Sequence, residues 1–394
     1  MSAQATPVGG KLLTPTMKGL LILVGIAAVL LLWRFAAGLG AVTNLSDGYP
    51  WGLWIAFDVV TGTALGCGGY AIALLVYAFN KGKYHPLVRS ALLASALGYT
   101  LGAIGVLIDV GRVWWTWKLP LFFWTWNLSS IQLEVALCIM LYTFVLWIEL
   151  SPAFLEQWAK GPDSFLKRFA AAATPKIMRA MPWLIALGML LPTMHQSSLG
   201  NMILLAGPKL HPLWYTTWIP FLFLVSCVGM GYGVTIMETM VSRTVYKRPG
   251  ETRVLAGLGD AMVVVLLAYV LIRVGDTIWQ GKLDYVLAFD VFSILFLLEV
   301  LLHLVPAFML MNKAKRTDRT YLFRASLMIV FGGALYRFSA YWFAFQPGDH
   351  WSYFPAIPEI LITVGLVAFE IAAYITIIKR FPILTGAPPA TAKA

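Results

Sequence analysis

Residues 286–311 read VLAFDVFSILFLLEVLLHLVPAFMLM. About 20 mainly apolar residues suffice to cross the ~30 Å hydrocarbon core of a bilayer as a helix. This run is long enough, yet it carries Asp290, Glu299 and His303. An ionisable group in hydrocarbon costs several kcal/mol unless it is paired or wet, so each one needs an explanation. The same combination of apolar length and isolated charge recurs along the chain.

Working outward, comparable runs are expected at Met17–Gly38, Trp51–Phe79, Ser90–Gly111, Asn127–Glu149, Ala180–Gly200, Trp218–Val241, Val254–Ile278, Val286–Met311, Tyr321–Phe345 and Pro358–Lys379. That predicts an all-α, polytopic membrane helix bundle of about ten spans, forming one domain over residues 1–394. Breakers such as Gly48-Tyr49-Pro50, Gly207-Pro208, Pro347-Gly348 and Pro355 separate the runs. The composition agrees, with 60% hydrophobic and 12% charged residues and a mean hydropathy of +0.78. Soluble domains hold about 25% charged residues, so lipid must be the solvent here. Lys11 and Lys18 precede an apolar stretch without a convincing A-x-A cleavage site, so a retained signal-anchor helix is expected.

The net charge of +11 follows from topology. Of the 29 Lys and Arg residues, 21 fall on one side of the predicted spans, from Lys11 to Lys393, and only Arg112, Lys118, Lys209 and Lys282 on the other. Positive charge marks cytoplasmic loops, so both termini are expected in the cytoplasm, and nucleic acid is not needed as a partner. The opposite side is rich in rings: Trp114-Trp115-Thr116-Trp117 with Trp124 and Trp126, then His211-Pro212-Leu213-Trp214-Tyr215, then His350-Trp351-Ser352-Tyr353-Phe354. An interfacial aromatic belt explains them, and so does a docking surface for an extrinsic chain.

The ionisable groups within spans are unevenly placed. The outer third holds Asp58, Asp109, Arg112, Glu134, His195, Arg273, Asp276, Asp290, Arg337 and Glu359; deeper lie Tyr99, Asp260, Glu238, Glu299, His303 and Glu370. Helical spacing allows local pairs: Asp109 with Arg112, Arg273 with Asp276, and Glu299 with His303. Glu134 and His195 have no such neighbour. Only His195 and His303 could ligate a haem inside the bundle, and they are expected near opposite ends of their helices, against a two-histidine haem. Cys67, Cys138 and Cys227 lack CxxC or CxxCH spacing, which argues against an iron–sulfur cluster or attached haem. A polar cavity near the outer face, linked by titratable groups to the inner face, suits a quinone, which takes up both electrons and protons. A short repeat, Ala56-Phe57-Asp58-Val59 against Ala288-Phe289-Asp290-Val291, with Arg112 and Glu134 spaced like Arg337 and Glu359, hints at two related bundles.

Several stretches then identify a relationship: Pro7-Val8-Gly9-Gly10-Lys11, Pro50-Trp51-Gly52-Leu53-Trp54-Ile55-Ala56-Phe57-Asp58, Tyr84-His85-Pro86-Leu87-Val88-Arg89, Ile108-Asp109-Val110-Gly111-Arg112, Pro192-Thr193-Met194-His195-Gln196-Ser197-Ser198, His211-Pro212-Leu213-Trp214 and Tyr353-Phe354-Pro355. Over nearly its whole length the chain resembles the NrfD/PsrC-like family, in its branch serving hydrogenase-2-type NiFe hydrogenases. The resemblance implies a multi-pass subunit of the bacterial inner membrane. Its implied partners are a periplasmic iron–sulfur ferredoxin-like subunit and the large and small NiFe hydrogenase subunits. Menaquinone or another quinone would be the bound substrate, with no haem or iron–sulfur cluster in this chain and no catalysis by it alone. Carried over onto matching positions, Tyr99, Glu134, His195 and Glu238 would move protons, and Asp58, Asp109, Arg112, Glu134 and His195 would surround the quinone. The rival readings are a membrane subunit of a polysulfide, nitrite or sulfoxide reductase, a secondary transporter with a midplane site, and a passive anchor.

Overall fold

The computed structural model describes residues 5–248 and 252–385; Lys393 of the charge count lies outside them. No strand occurs among the described residues. Among the described residues, ten long helices carry the fold: α1 (Pro15–Ala37), α2 (Trp54–Ala78), α3 (Val88–Asp109), α4 (Ile131–Ala159), α5 (Phe165–Leu204), α6 (Ile219–Tyr246), α7 (Thr252–Trp279), α8 (Val291–Met311), α9 (Arg319–Phe338) and α10 (Ile357–Arg380). Nine of them, all but α9, are long and apolar enough to cross a membrane. The expected span Tyr321–Phe345 is present as α9 and a π-helical continuation, Ser339–Phe343. Arg324 and Arg337 set it apart from the nine, and it packs between α6 and α8.

Local sequence starts these helices. Thr14, Ser130, Ser164, Asp290 and Asp318 are N-caps whose side-chain oxygens accept a backbone N–H from the first turn, satisfying donors the helix itself cannot. Asp290 is therefore not an intramembrane charge as expected: it caps α8 by accepting from Ser293 N at 2.8 Å.

Neighbouring helices close two rings. α2, α3, α4 and α5 form one four-helix bundle, α6, α7, α8 and α9 the second, and α2 joins them by packing on α6 and α9. α1 and α10 pair outside the rings, with α10 against α3. Two bundles were expected, but their helices correspond at an offset of four, not the six of the short sequence repeat. Asp58 lies buried within α2 while Asp290 caps α8 at the surface, so that repeat has no common geometry. Where α2 crosses its neighbours, side chains are excluded: a Cβ on Gly231 of α6 would lie 2.5 Å from the Cys67 carbonyl oxygen, and one on Gly98 of α3 would lie 3.0 Å from the Gly66 Cα.

Helices α4 and α5 outrun expectation. The spans were placed at 127–149 and 180–200, but helix continues to Ala159 and begins again at Phe165. Apolar length marks where lipid ends, whereas a helix continues into water as long as its backbone bonds are made. α5, at 40 residues, is about 60 Å long. Pro152, Pro175, Pro182 and Pro192 all lie inside α4 or α5; packing of neighbouring helices makes this tolerable.

The charged pairs differ from the local ones expected. Arg273 of α7 binds Glu299 of α8 through Nε at 2.8 Å, with a second guanidinium contact at 3.3 Å, and donates to the Leu213 carbonyl at 2.5 Å. Tyr269 donates to the same carboxylate at 2.6 Å. Asp276 instead accepts from Gln280 at the surface. His303 meets only the backbone carbonyl of Glu299, at 2.8 Å, and its ring stacks on Tyr269. Asp109 and Arg112 form no ion pair; Arg112 is exposed. Tertiary partners win because a buried charge needs several ligands at once, and one helical neighbour cannot supply them.

Removing one partner of a buried pair strands the other, at a cost of about 3–5 kcal/mol. Glu299→Leu should therefore destabilise the solubilised protein by that amount in thermal or denaturant unfolding. The double replacement Arg273→Met with Glu299→Leu should recover most of the loss.

Candidate functional site

The expected site residues fall into three groups. The first lies inside the α2–α5 bundle. His195 of α5 is fully buried, and neither ring nitrogen has a hydrogen-bond partner. Its ring comes near the backbone of Val135, one residue from Glu134, without completing a hydrogen bond. Tyr99 of α3 lies 5.5 Å away between ring centroids. The Tyr99 hydroxyl accepts from Gln196 Nε2 at 3.1 Å, and the same amide donates to Thr63 at 3.2 Å. The Gln196 Oε1 atom is buried without a partner. Buried polar atoms are nearly always satisfied, so three orphaned atoms on adjacent residues of one helix describe a place where a polar ligand or water belongs. Glu134 is half-buried in the first turn of α4, with no side-chain hydrogen bond among the described residues.

The second group runs along α10. Glu359, Thr363, Glu370 and Tyr374 are spaced i, i+4, i+11 and i+15, which at 100° per residue confines them to about 60° of one face and spreads them over about 22 Å. Thr363 donates to buried Asp58 of α2 at 2.8 Å. Tyr374 donates to Glu238 of α6, which also accepts from Thr239 at 3.3 Å. Asp58 and Glu238 thus lie on a seam between α10 and the bundles, not on the Tyr99–His195 cluster. Glu359, at the outer end, is structural. It accepts from Asn44 N and Ala356 N, both at 2.9 Å, and from the Tyr353 hydroxyl at 2.5 Å.

The third group is the rim at the aromatic end. Asp109 closes α3 with one carboxylate oxygen buried and unpartnered. The cation near it is Arg34 of α1, which donates to the carbonyls of Ile108 and Val110 at 2.7 Å each. Arg112 is exposed on the loop beyond. Trp114, Trp115, Trp117 and Trp124 crowd this loop with their rings exposed. In the second aromatic cluster Trp214 and Leu213 are core residues, and only Tyr215 of its rings is exposed.

Sequence reading missed Arg34, Gln196, Thr363 and Tyr374 as partners. The spacing on α10 was visible; which helix it faced was not. His195 lies nine residues before the end of α5, deeper than expected, so depth alone separates it less from His303 than the sequence implied. Packing separates them instead. His303 belongs to the other bundle, stacks on Tyr269 at 4.1 Å, and has its Cε1 2.9 Å from where a Cβ on Gly332 would lie. No cluster of three or more metal-ligating side chains occurs among the described residues.

Outside the spans, His211 is the titrating group with the clearest environment. Its Nδ1 accepts from Leu213 N at 3.3 Å and its ring stacks on Phe292 at 4.3 Å. Burial pushes its pKa below the ordinary histidine value; Asp290 opposes this and Lys282 adds to it.

Comparison with known proteins places these features in a family. The profile described as "Polysulphide reductase, NrfD" matches residues 41–341. The chain is 39% identical over 389 residues to the "Probable Ni/Fe-hydrogenase 2 b-type cytochrome subunit" of Escherichia coli (strain K12), covering 98% of this chain and 96% of that one. It is 29% identical over 358 residues to the "Menaquinone reductase, integral membrane subunit" of Nitratidesulfovibrio vulgaris (strain Hildenborough), covering 85% and 83% respectively.

The His211 shift fixes a direction for pH. Unfolded, the ring binds a proton near pH 6.5; folded, it resists until lower pH. The unfolded state then binds more protons in that window, so stability is complete above about pH 6.5 and falls as pH drops. Thermal unfolding between about pH 7.5 and 5.5 should show a smaller loss for His211→Asn than for wild type.

Proposed function

The chain belongs to the polysulphide reductase NrfD family, and from that premise we propose that it is the quinone-reactive membrane subunit of a periplasm-facing NiFe hydrogenase complex. The match to a hydrogenase-2 subunit over nearly the full length of both chains supports this assignment, and the menaquinone reductase relative supports the quinone. The partners are a periplasmic iron–sulfur ferredoxin-like subunit, docked near the exposed tryptophans, and the large and small hydrogenase subunits. The membrane is the bacterial inner membrane, with both termini in the cytoplasm, a reading that the charge bias of the loops supports.

The observation that carries the site is His195. A fully buried imidazole with two unpartnered nitrogens is costly unless something else completes it: a quinone oxygen accepts from its N–H, and a water donates to its other nitrogen. Reducing a quinone takes two electrons and two protons. His195 donates its N–H to a quinone oxygen; as that proton passes to the reduced ring, the other imidazole nitrogen takes a replacement from a water that Glu134 recharges at the outer side, and Tyr99 orients the imidazole. Asp109 and Arg112 act at the rim. Glu238 passes protons along the α10 seam through Tyr374, Glu370 and Asp58. Moving one charge across the membrane is worth about 2.3 kcal/mol per 100 mV.

The name of the Escherichia coli relative includes a b-type cytochrome. His195 and His303 lie in different bundles, which supports a reading without a haem held between the two.

Two measurements test this reading. In the complex purified in mild detergent, hydrogen-dependent reduction of a menaquinone analogue should fall about 100-fold or more in His195→Ala, the range expected for a lost acid–base group, with nickel and iron co-purifying. Nickel with undiminished activity moves the quinone elsewhere. No nickel overturns the hydrogenase assignment and leaves another reductase of the family. In reconstituted vesicles, Glu238→Gln should lower the protons moved per quinone reduced, and full coupling in that variant sinks the relay.

A further inference from the structure

A cavity of about 1060 Å³ lies between α2, α3, α4 and α5 at the end where the basic loops cluster. Lys83, His85 and Lys160 line it, and Glu149 and Tyr142 of α4 form part of its wall. None of the residues assigned above to the quinone belongs to it. Sequence reading had placed Glu149 at the end of a span. The helix instead runs on to Ala159, which puts this carboxylate about 15 Å inside it.

Glu149 Oε1 is buried and has no hydrogen-bond partner. Its place is made by Gly188 of α5, where a Cβ would lie 2.5 Å from that oxygen. No cation neutralises it among the described residues: Arg89, which shares the lining, is committed to Glu156 at 2.5 and 2.9 Å and to the Pro382 carbonyl at 3.1 Å. An unpaired carboxylate cannot sit in a dry cavity, and the volume has room for roughly 30 waters at ~30 Å³ each. Farther in, the wall reaches Tyr142, whose ring packs edge-on against Tyr99 at 4.4 Å. The cavity therefore ends one aromatic layer from the His195 cluster.

We propose that this cavity is a water-filled half-channel that admits protons from the basic side as far as Tyr142, and that Glu149 is the group that exchanges them. The carboxylate takes a proton from water on the mouth side and returns it to water on the Tyr142 side; no electron moves and no other bond changes. The half-channel is separate from the α10 seam, so Tyr99 and Glu238 serve different inner routes. The destination of the protons rests on the quinone reading above; the wetness of the cavity does not.

The test has two arms. Single cysteines at Ala73→Cys and Ile185→Cys, with Glu149 intact, are exposed to a small anionic, membrane-impermeant methanethiosulfonate in right-side-out and inverted membrane vesicles. The native Cys67, Cys138 and Cys227 are buried and provide the background. Labelling only from the basic side, abolished by a second change Gly188→Leu, is the expected result. No labelling, or labelling from the opposite side, overturns the half-channel. In the second arm, the whole complex in liposomes is driven by hydrogen and a quinone analogue. Glu149→Gln should slow proton uptake from the basic side about 100-fold, and uptake at the wild-type rate overturns the role of Glu149. If the wild type itself turns over without taking up protons from that side, the proton-conduction reading fails and the role of Glu149 with it, while the labelling still decides whether the cavity is wet.

Discussion

Arg337 ties the two halves of this protein together. It belongs to α9 in the second bundle, donates to the Val60 carbonyl of α2 in the first at 3.1 Å, and reaches the Phe223 carbonyl and Ser226 of α6. It is completely buried and has no carboxylate partner among the described residues. Backbone dipoles and the Phe223 ring, 4.6 Å away, hold its charge. This works because α2 is π-helical from Trp54 to Thr61, a local widening that is frequent where a helix serves a function. The register of α2 against α6 and α9, and so the placement of Thr63 and Cys67 beside the Tyr99–Gln196 cluster, follows from this contact.

Hydrocarbon sorts the remaining polar groups into two kinds. Arg34, Arg273, Glu299 and Glu359 carry two or more hydrogen bonds each and connect helices. Their charges are structural, and losing one partner exposes the cost of the other. His195, Gln196, Asp109 and Glu149 keep unpartnered buried atoms. Arg316, Arg337, Trp214, Tyr336 and Ser339 also keep an unpartnered buried atom each, but His195, Gln196, Asp109 and Glu149 are the ones that lie in the expected site or on a cavity wall, where ligand, water or protons can enter. They form a discontinuous set running from the aromatic end to the basic end through the first bundle, while the second bundle holds the sealed Arg273–Glu299 pair.

Sequence alone determined the membrane class, the number of long helices to within the charged α9, and the clustering of the basic loops at one end of the predicted spans. Each depends on composition averaged over about 20 residues or on charge counted loop by loop, and neither quantity needs to know what a helix packs against. It also singled out His195, an ionisable ring without a local partner in an apolar run, while the family resemblance supplied Tyr99; the structure brings the two together.

Tertiary structure alone decided the partners. Arg273 was read with Asp276 and binds Glu299; Asp109 was read with Arg112 and faces Arg34; Glu238 was read with Tyr99 and meets Tyr374. Helical periodicity lists candidates on one face, but a buried charge is satisfied by whichever helices cross at its depth, and crossing depends on steric contacts such as Gly231 against Cys67. The same reason hid Glu149. Apolar length ended its span at the lipid boundary, while the hydrogen-bonded helix continued and left the carboxylate facing a cavity that only four packed helices could enclose.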